Sequence, residues 1–518
     1  MRLALHLTAT LFFVAAQLVA QSTPLWRYTA TAPISFVRVT PVGSVVVATA
    51  DGLVGLDAES GLVQWKRDDL KSLEPPSYGA IGRSPFATVR VGGQVELIDL
   101  VTGATKWRMP PPGDVQPYLP IPERGLFLAY GSNDSLKPVL VAADLATGDV
   151  RWEHVQPFHK PPESGGPDYI GLQPAVWVSD STFILYVSKD GPVLVHAGTG
   201  EWLWRADSLQ GKKPPAPGRP VKNLLGLGRG HGTMLLVDSV VYVPFERRLQ
   251  AIRTRDGMPL WAEPPGFPTP ITQLEVTPRG IALRGDTGNT GKSWLDLIDP
   301  ATGASRWRRQ VKGLKHVTPF TVSGGRLYVA TDQKLLAVSL DDGKATEVRQ
   351  LAFEGGDEPY QIEPRGSGLL LIGRQNVLLL DSTGAERYHT YHPAPGRSTL
   401  GKVALAAVGV LAVAADVAGS ILNANDPGSP PIYDPSFSFP KIGERYAASQ
   451  QARDYVYSVA EEEDSTGHKR PVFLRIHKDD GRVVRRVWLE EKQPEFELDR
   501  ITGMLYVRDG REVLAFKM

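Results

Sequence analysis

At 518 residues, with 42% hydrophobic content and a formal net charge of +1, the chain can bury a large core but gives no electrostatic case for nucleic acid or an anionic membrane surface. It has no cysteine, which excludes disulfides, thiolate metal sites, covalently attached haem and a cysteine-linked lipid anchor. Its 52 glycines and 43 prolines predict many turns and argue against long helices.

The first predicted element is a leader. Met1-Arg2 is a charged start, Leu3 to Val19 is mostly apolar, and Leu18-Val-Ala20 offers a small residue for cleavage before Gln21. A membrane anchor is the rival reading, but His6, Thr8, Thr10 and Gln17 interrupt a stretch already short for a span of about 20 residues. Residues 1–20 are therefore expected to be a signal peptide and 21–518 the mature protein, periplasmic or secreted in a bacterium. No later segment is long and apolar enough to span a bilayer.

Then a phrase begins to repeat. Its fullest copy is Ala142-Ala-Asp144-Leu-Ala-Thr147-Gly148-Asp-Val-Arg-Trp152. Others place Gly61 before Trp65, Gly103 before Trp107, Gly200 before Trp204, Gly257 before Trp261 and Gly303 before Trp307, always four residues apart. A fixed internal repeat decides architecture before any local reading does. Each copy follows two short aliphatic runs, such as Val45-Val-Val-Ala and Leu53-Val-Gly-Leu, which read as strands. The Asp-x-x-Thr-Gly stretch suits a tight turn, with Asp and Thr bonding nearby amides and Gly taking φ > 0. Trp then recurs at one height, as a ring packed between neighbouring sheets would. The glycine is expected to matter through its backbone conformation rather than through packing.

Further anchors at Gly343, Gly384 and Gly481 carry Glu347, Tyr388 and Arg485 in the Trp position. The gap between Gly384 and Gly481 holds about two units, one filled by Val408 to Ala415 and Ser420-Ile-Leu-Asn. The chain stops at Val513-Leu-Ala515-Phe-Lys-Met518, one strand short of a full unit, and Leu25-Trp26-Arg27 resembles the missing strand. A first strand that completes the last sheet closes a circle and removes an exposed edge. The prediction is an all-β propeller of four-stranded blades, with about 8–11 repeats closed by the N-terminal strand, as one large ring or two smaller propellers.

The Ala-x-Asp-x-x-Thr-Gly-x-x-x-Trp phrase resembles the tryptophan-docking motif of pyrroloquinoline-quinone-like (PQQ-like) β-propeller repeats. That family includes quinoprotein alcohol dehydrogenases and the non-catalytic outer-membrane-assembly propeller lipoprotein of Gram-negative bacteria. The resemblance implies blade docking by Trp26, Trp65, Trp107, Trp152, Trp204, Trp261 and Trp307 on the turns of Gly61, Gly103, Gly148, Gly200, Gly257 and Gly303. Relatives usually close with eight blades, whereas ten or eleven units are counted here. For function, the resemblance implies either a protein-interaction scaffold, taken as the expectation, or a quinone-dependent dehydrogenase of alcohols or sugars. The disulfide against which alcohol-oxidising relatives stack the quinone is impossible here, and no Asp or Glu is assignable as a base or metal ligand. No catalytic, cofactor-binding or metal-binding residue is assigned, no cofactor is expected, and the expected partner is a protein.

Other motifs read as structural. Gly285 to Ser293 resembles a phosphate loop, but Asp286 stands where Gly is needed and a strand follows. Gly226 to Gly232 fails as a dinucleotide fingerprint because His231 replaces its third Gly. His389 and His392 fall on opposite faces of an extended strand, so no metal site is expected. Glu461 to Asp464 reads as a hairpin tip. Trp177 and Trp202 lie off the repeat register and are expected to face solvent or a ligand. The proline-rich insertions 157–168, 207–222 and 426–440 are candidate binding loops.

Overall fold

The computed structural model describes residues 22–395 and 454–518, apart from 83, 93, 110–117, 133–137, 156–174, 188–190, 210–233, 287–291, 316 and 492–493. The described chain forms ten antiparallel sheets, each a meander. Numbered in chain order, blade 1 spans residues 34–67, blade 2 78–109, blade 3 118–155, blade 4 176–205 and blade 5 235–253. Blade 6 spans 271–315, blade 7 321–350, blade 8 361–391 and blade 9 455–488. Blade 10 joins the strands of residues 495–517 to the N-terminal strand Trp26–Thr29. Eight blades have four strands; blades 5 and 9 show three among the described residues.

The aliphatic runs form the middle strands because they are buried on both faces. Ser44–Thr49 and Gly368–Ile372, for example, have no exposed residue. Outer strands are covered on one side only, and Val63–Arg67 exposes most of its residues while burying Trp65.

The turn between the third and fourth strands follows the sequence logic. Asp57, Asp99, Asp144 and Asp299 each accept two backbone amides, two and three residues on, at 2.8–3.2 Å. Burial opposes ionisation of Asp144, but Arg151 and the amides of Thr147 and Ala146 outweigh it and hold the carboxyl below its usual range. In blades 1 to 4 a β-bulge follows the turn, at the residue before Trp65, Trp107, Trp152 and Trp204. The extra residue sets the indole's facing toward the next sheet.

Ten buried apolar clusters each span two neighbouring blades. They run in series from blade 1 to blade 10, and the last links blade 10 back to blade 1 through Trp26, Tyr506 and Ala515 against Val45, Val47 and Leu56. The circuit is closed. Trp26 pairs with Ala515, Arg27 with Leu514, Tyr28 with Val513 and Thr29 with Glu512. A ring of ten exceeds the usual range of about four to eight blades. Among the described residues no helix is long and apolar enough to cross a membrane.

Candidate interaction surface

Each repeat tryptophan lies over the anchor glycine of the next blade: Trp26 over Gly61, Trp65 over Gly103, Trp107 over Gly148, Trp152 over Gly200, Trp204 over Gly257, Trp261 over Gly303 and Trp307 over Gly343. Each indole N–H also donates to the carbonyl one residue past that blade's turn Asp or its equivalent: Ala58, Leu100, Leu145, Ala197, Thr254, Pro300 and Leu340, at 2.7–3.2 Å. The glycine requirement is therefore double, which corrects the expectation of a backbone effect alone. At Gly148 φ is 78°, and an added Cβ would stand 2.4 Å from Cγ of Trp107.

The three atypical blades differ. Tyr388 covers Gly481 and its hydroxyl donates to the Lys478 carbonyl at 2.6 Å, reproducing the indole arrangement with a phenol. Arg485 donates Nε to the Lys517 carbonyl at 3.2 Å. In blade 7 the expected position is wrong. Glu347 is exposed, and Val348 faces Gly384 instead. The bulge there falls between the Leu336–Glu347 and Leu335–Arg349 pairs, two residues later than in blades 1 to 4, which brings Val348 onto the docking face.

The off-register tryptophans are half-buried rather than solvent-facing. Trp202 stacks on His154 at 4.6 Å between ring centroids, and Trp177 packs on Phe183 at 5.0 Å beneath the Arg124 guanidinium. Trp294, which the repeat did not single out, is fully buried, stacked on Phe267 and donating to Thr269 at 2.8 Å.

Polar groups inside the ring are arranged as struts. Glu96 of blade 2 accepts from Arg67 of blade 1 at 2.6 Å, from Arg108 at 2.7 Å and from Thr105. Burial would raise its pKa, but these three donors together hold it below the usual range. Asp357 accepts the amides of Arg374, Gln375 and Asn376 and the side chain of Asn376, whose Oδ1 also meets His389 Nε2 at 2.9 Å. Burial lowers the pKa of His392, whose Nε2 has no hydrogen-bond partner among the described residues. Among those residues no three His, Asp or Glu side chains gather as metal ligands. Glu461 to Glu463 lie within the strand Tyr455–Glu463, with Glu462 bonded to Arg486, so that hairpin turns at Asp464 rather than Glu461. The candidate loops 157–168 and 426–440, the Gly226 to Gly232 segment, the strand-like run 408–423, most of 207–222 and the tip at 287–291 lie outside the described residues.

An unforeseen feature sits on the outer rim. Around the turn into the outermost strand, blade 1 exposes Leu62 (70%) and Val63, blade 2 Val101, blade 3 Val150 (57%), blade 4 Leu203 (46%), and blade 5 Met258 (54%) and Leu260. The same turns in blades 6 to 8 present Ser305 and Arg306, Lys344 and Thr346, and Glu386 and Arg387. Because these turns lie at equivalent places in successive blades, an exposed Leu, Val or Met recurs across five neighbours, interspersed with exposed polar residues such as Gln64, Lys106 and Glu201; the same turns of the next three blades carry none, and blade 9 exposes Val484 (39%). The alternation of outward residues along short outer strands carries the signal, but it appears only once the ring is laid out.

Part of the ring bearing this rim matches a known family. Residues 91–281 match the family described as outer membrane protein assembly factor BamB. The repeats there are PQQ-like propeller repeats. Among solved structures the chain is similar to BamB from Moraxella catarrhalis, at 13% identity over 71% of this chain and 100% of that one, with a TM-score of 0.37. It is also similar to the quinohemoprotein alcohol dehydrogenase ADHIIG from Pseudomonas putida HK5, at 13% identity over 69% and 72% of the two chains, TM-score 0.34. The computationally designed protein Ika8 aligns at 12% identity over 72% and 99%, TM-score 0.33. No curated protein matches significantly.

Proposed function

We propose that the protein is an exported, non-catalytic scaffold whose outer rim over blades 1 to 5 docks a protein partner. The observation that carries this reading is the run of exposed Leu, Val and Met around successive outer turns, which the polar turns of blades 6 to 8 lack. Exposed apolar side chains gathered along one stretch of surface mark protein–protein contact, whereas single scattered ones do not. Two further supports are the match of residues 91–281 to an assembly factor and the leader-like residues 1–20.

The test is in-cell crosslinking with a variant carrying Val63→Asp, Val150→Asp and Met258→Asp, beside a control carrying Ala304→Asp, Lys344→Asp and Arg387→Asp. All six positions are exposed, so both variants keep the unfolding temperature within a few degrees. The rim variant loses its crosslinked partner and the control keeps it. Equal crosslinking in both would remove the rim from the account. Titration with pyrroloquinoline quinone plus calcium separates the enzyme class: saturable binding with dye-linked alcohol or sugar oxidation would overturn the non-catalytic reading.

A further inference from the structure

We infer that the outermost edge of blade 6 binds an acidic, extended segment of a partner protein. The net charge of +1 conceals this blade, whose residues 271–315 carry eight Lys and Arg against four Asp and Glu. Six of those cations lie on the strand Lys292–Ile298, the outermost strand Val311–Lys315 or the segment between them: Lys292, Arg306, Arg308, Arg309, Lys312 and Lys315, all exposed. The blade's acids are engaged elsewhere. Asp299 pairs with Arg306 at 2.6 Å, and the buried Asp286 pairs with Arg284 at 3.1 Å. Glu275 stands on the innermost strand Ile271–Thr277. Asp296 is buried and accepts from Ser305 at 2.6 Å and Gln310 at 2.8 Å. Burial raises its pKa against those bonds and the charge of Lys312, which forms no ion pair with it. Among the described residues Lys292, Arg308, Arg309, Lys312 and Lys315 therefore have no carboxylate partner. Lys292 and Lys315 are moreover directly paired across the two strands, an arrangement of like charges that costs stability. An anionic partner relieves that repulsion.

The edge decides the class of partner. Val311–Lys315 ends the order of its sheet, so among the described residues no strand pairs with its outer N–H and C=O groups. Lysines on such an edge repel a second strand of the same kind. A segment bearing Asp or Glu reverses the sign and can take up the free backbone groups as an added strand. A bilayer is the poorer fit, because Val311 and Leu314 are half-buried and this strand exposes no large apolar side chain to enter it. The stripe is separate from the rim of blades 1 to 5, and its test does not depend on that reading.

The probe is a fluorescein-labelled eight-residue peptide of alternating Glu and Val, with Gln replacing Glu in its uncharged counterpart. Fluorescence anisotropy follows both against the full chain at about 50 mM salt, where charge pairing is weakly screened. Wild type binds the Glu peptide saturably and the Gln peptide about tenfold more weakly, a gap of about 1.4 kcal/mol. The double variant Arg308→Glu, Lys315→Glu loses about tenfold in affinity for the Glu peptide. A control with the same change in net charge at two other exposed cations, Lys71→Glu with Arg387→Glu, stays near wild type. Should the double variant fail to fold, Lys315→Gln alone serves: it removes the repulsion with Lys292, keeps at least the wild-type unfolding temperature and binds the Glu peptide more weakly. No saturable binding by wild type, or equal binding by the stripe variant and the control, would overturn the inference. So would tighter stripe-dependent binding of phosphatidylglycerol vesicles or of oligothymidine, which would assign the edge to a lipid or a nucleic acid.

Discussion

Replacing Trp152 by alanine will lower the unfolding free energy by about 3–5 kcal/mol, the range for removing a large aromatic from a core. Trp152 is 7% exposed, packs in the cluster shared by blades 3 and 4, covers Gly200 and donates to Ala197 at 2.8 Å. Deletion therefore opens a cavity between blades and leaves the Ala197 carbonyl without its donor. Trp202→Ala is the internal control, two residues from the docking position in blade 4. Trp202 is half-buried, and its N–H has no hydrogen-bond partner among the described residues. Losing its stack on His154 costs about 0.5–1.5 kcal/mol, partly offset by removing that donor. Equilibrium denaturant unfolding of the two variants reads the difference directly. Equal, small losses would mean that the repeated phrase is not a docking device.

Removing residues 22–29 will be at least as damaging. The deletion takes away Trp26, worth about 3–5 kcal/mol by the same reasoning, together with the four-residue strand pairing with Glu512 to Ala515. It also bares the outer edge of the strand Glu512–Lys517 between blades 9 and 1, an unpaired β edge of the kind that invites aggregation. Against a typical total stability of about 5–15 kcal/mol, such a loss leaves the ring marginal or open. Thermal unfolding with light scattering detects both effects, and an unchanged midpoint would contradict closure by this strand.

The ring was legible in the sequence because its determinants are local. Asp, Gly and Trp at fixed offsets specify a turn and a docked ring wherever they occur, and Leu25-Trp26-Arg27 betrays the shared blade by the same phrase. The exceptions arose where register decides. Blade 7 looked like a Trp-to-Glu exchange, yet a bulge displaced by two residues puts Val348 on the docking face, and nothing in Ala345–Gln350 announces where the extra residue falls. Trp202 and Trp177 read as facing solvent or a ligand because they lie off the repeat, but His154 of the neighbouring blade covers Trp202 and the cross-strand Phe183 of the same blade covers Trp177. Trp294 belongs to the middle of a sheet and carries no repeat signal at all. The exposed rim residues were hidden for a related reason: Leu62, Val150 and Met258 are far apart in sequence and fall on one rim only through the order of blades 1, 3 and 5.

One closed ring of ten blades is latched by its own N-terminal strand. Because the chain has no cysteine, a Thr29→Cys, Glu512→Cys double variant has a single possible disulfide. The two positions are paired across the latch, and their side chains already meet, with Thr29 Oγ1 donating to Glu512 Oε1 at 3.2 Å. Mild oxidation of the folded protein should therefore join them, as a disulfide needs a Cα separation of about 4.4–6.8 Å. The closed ring predicts near-complete loss of free thiols and a mobility difference between oxidised and reduced chains on a denaturing gel. Two free thiols surviving in monomeric, folded protein would show that the N-terminal strand lies elsewhere and that the ring is not closed this way.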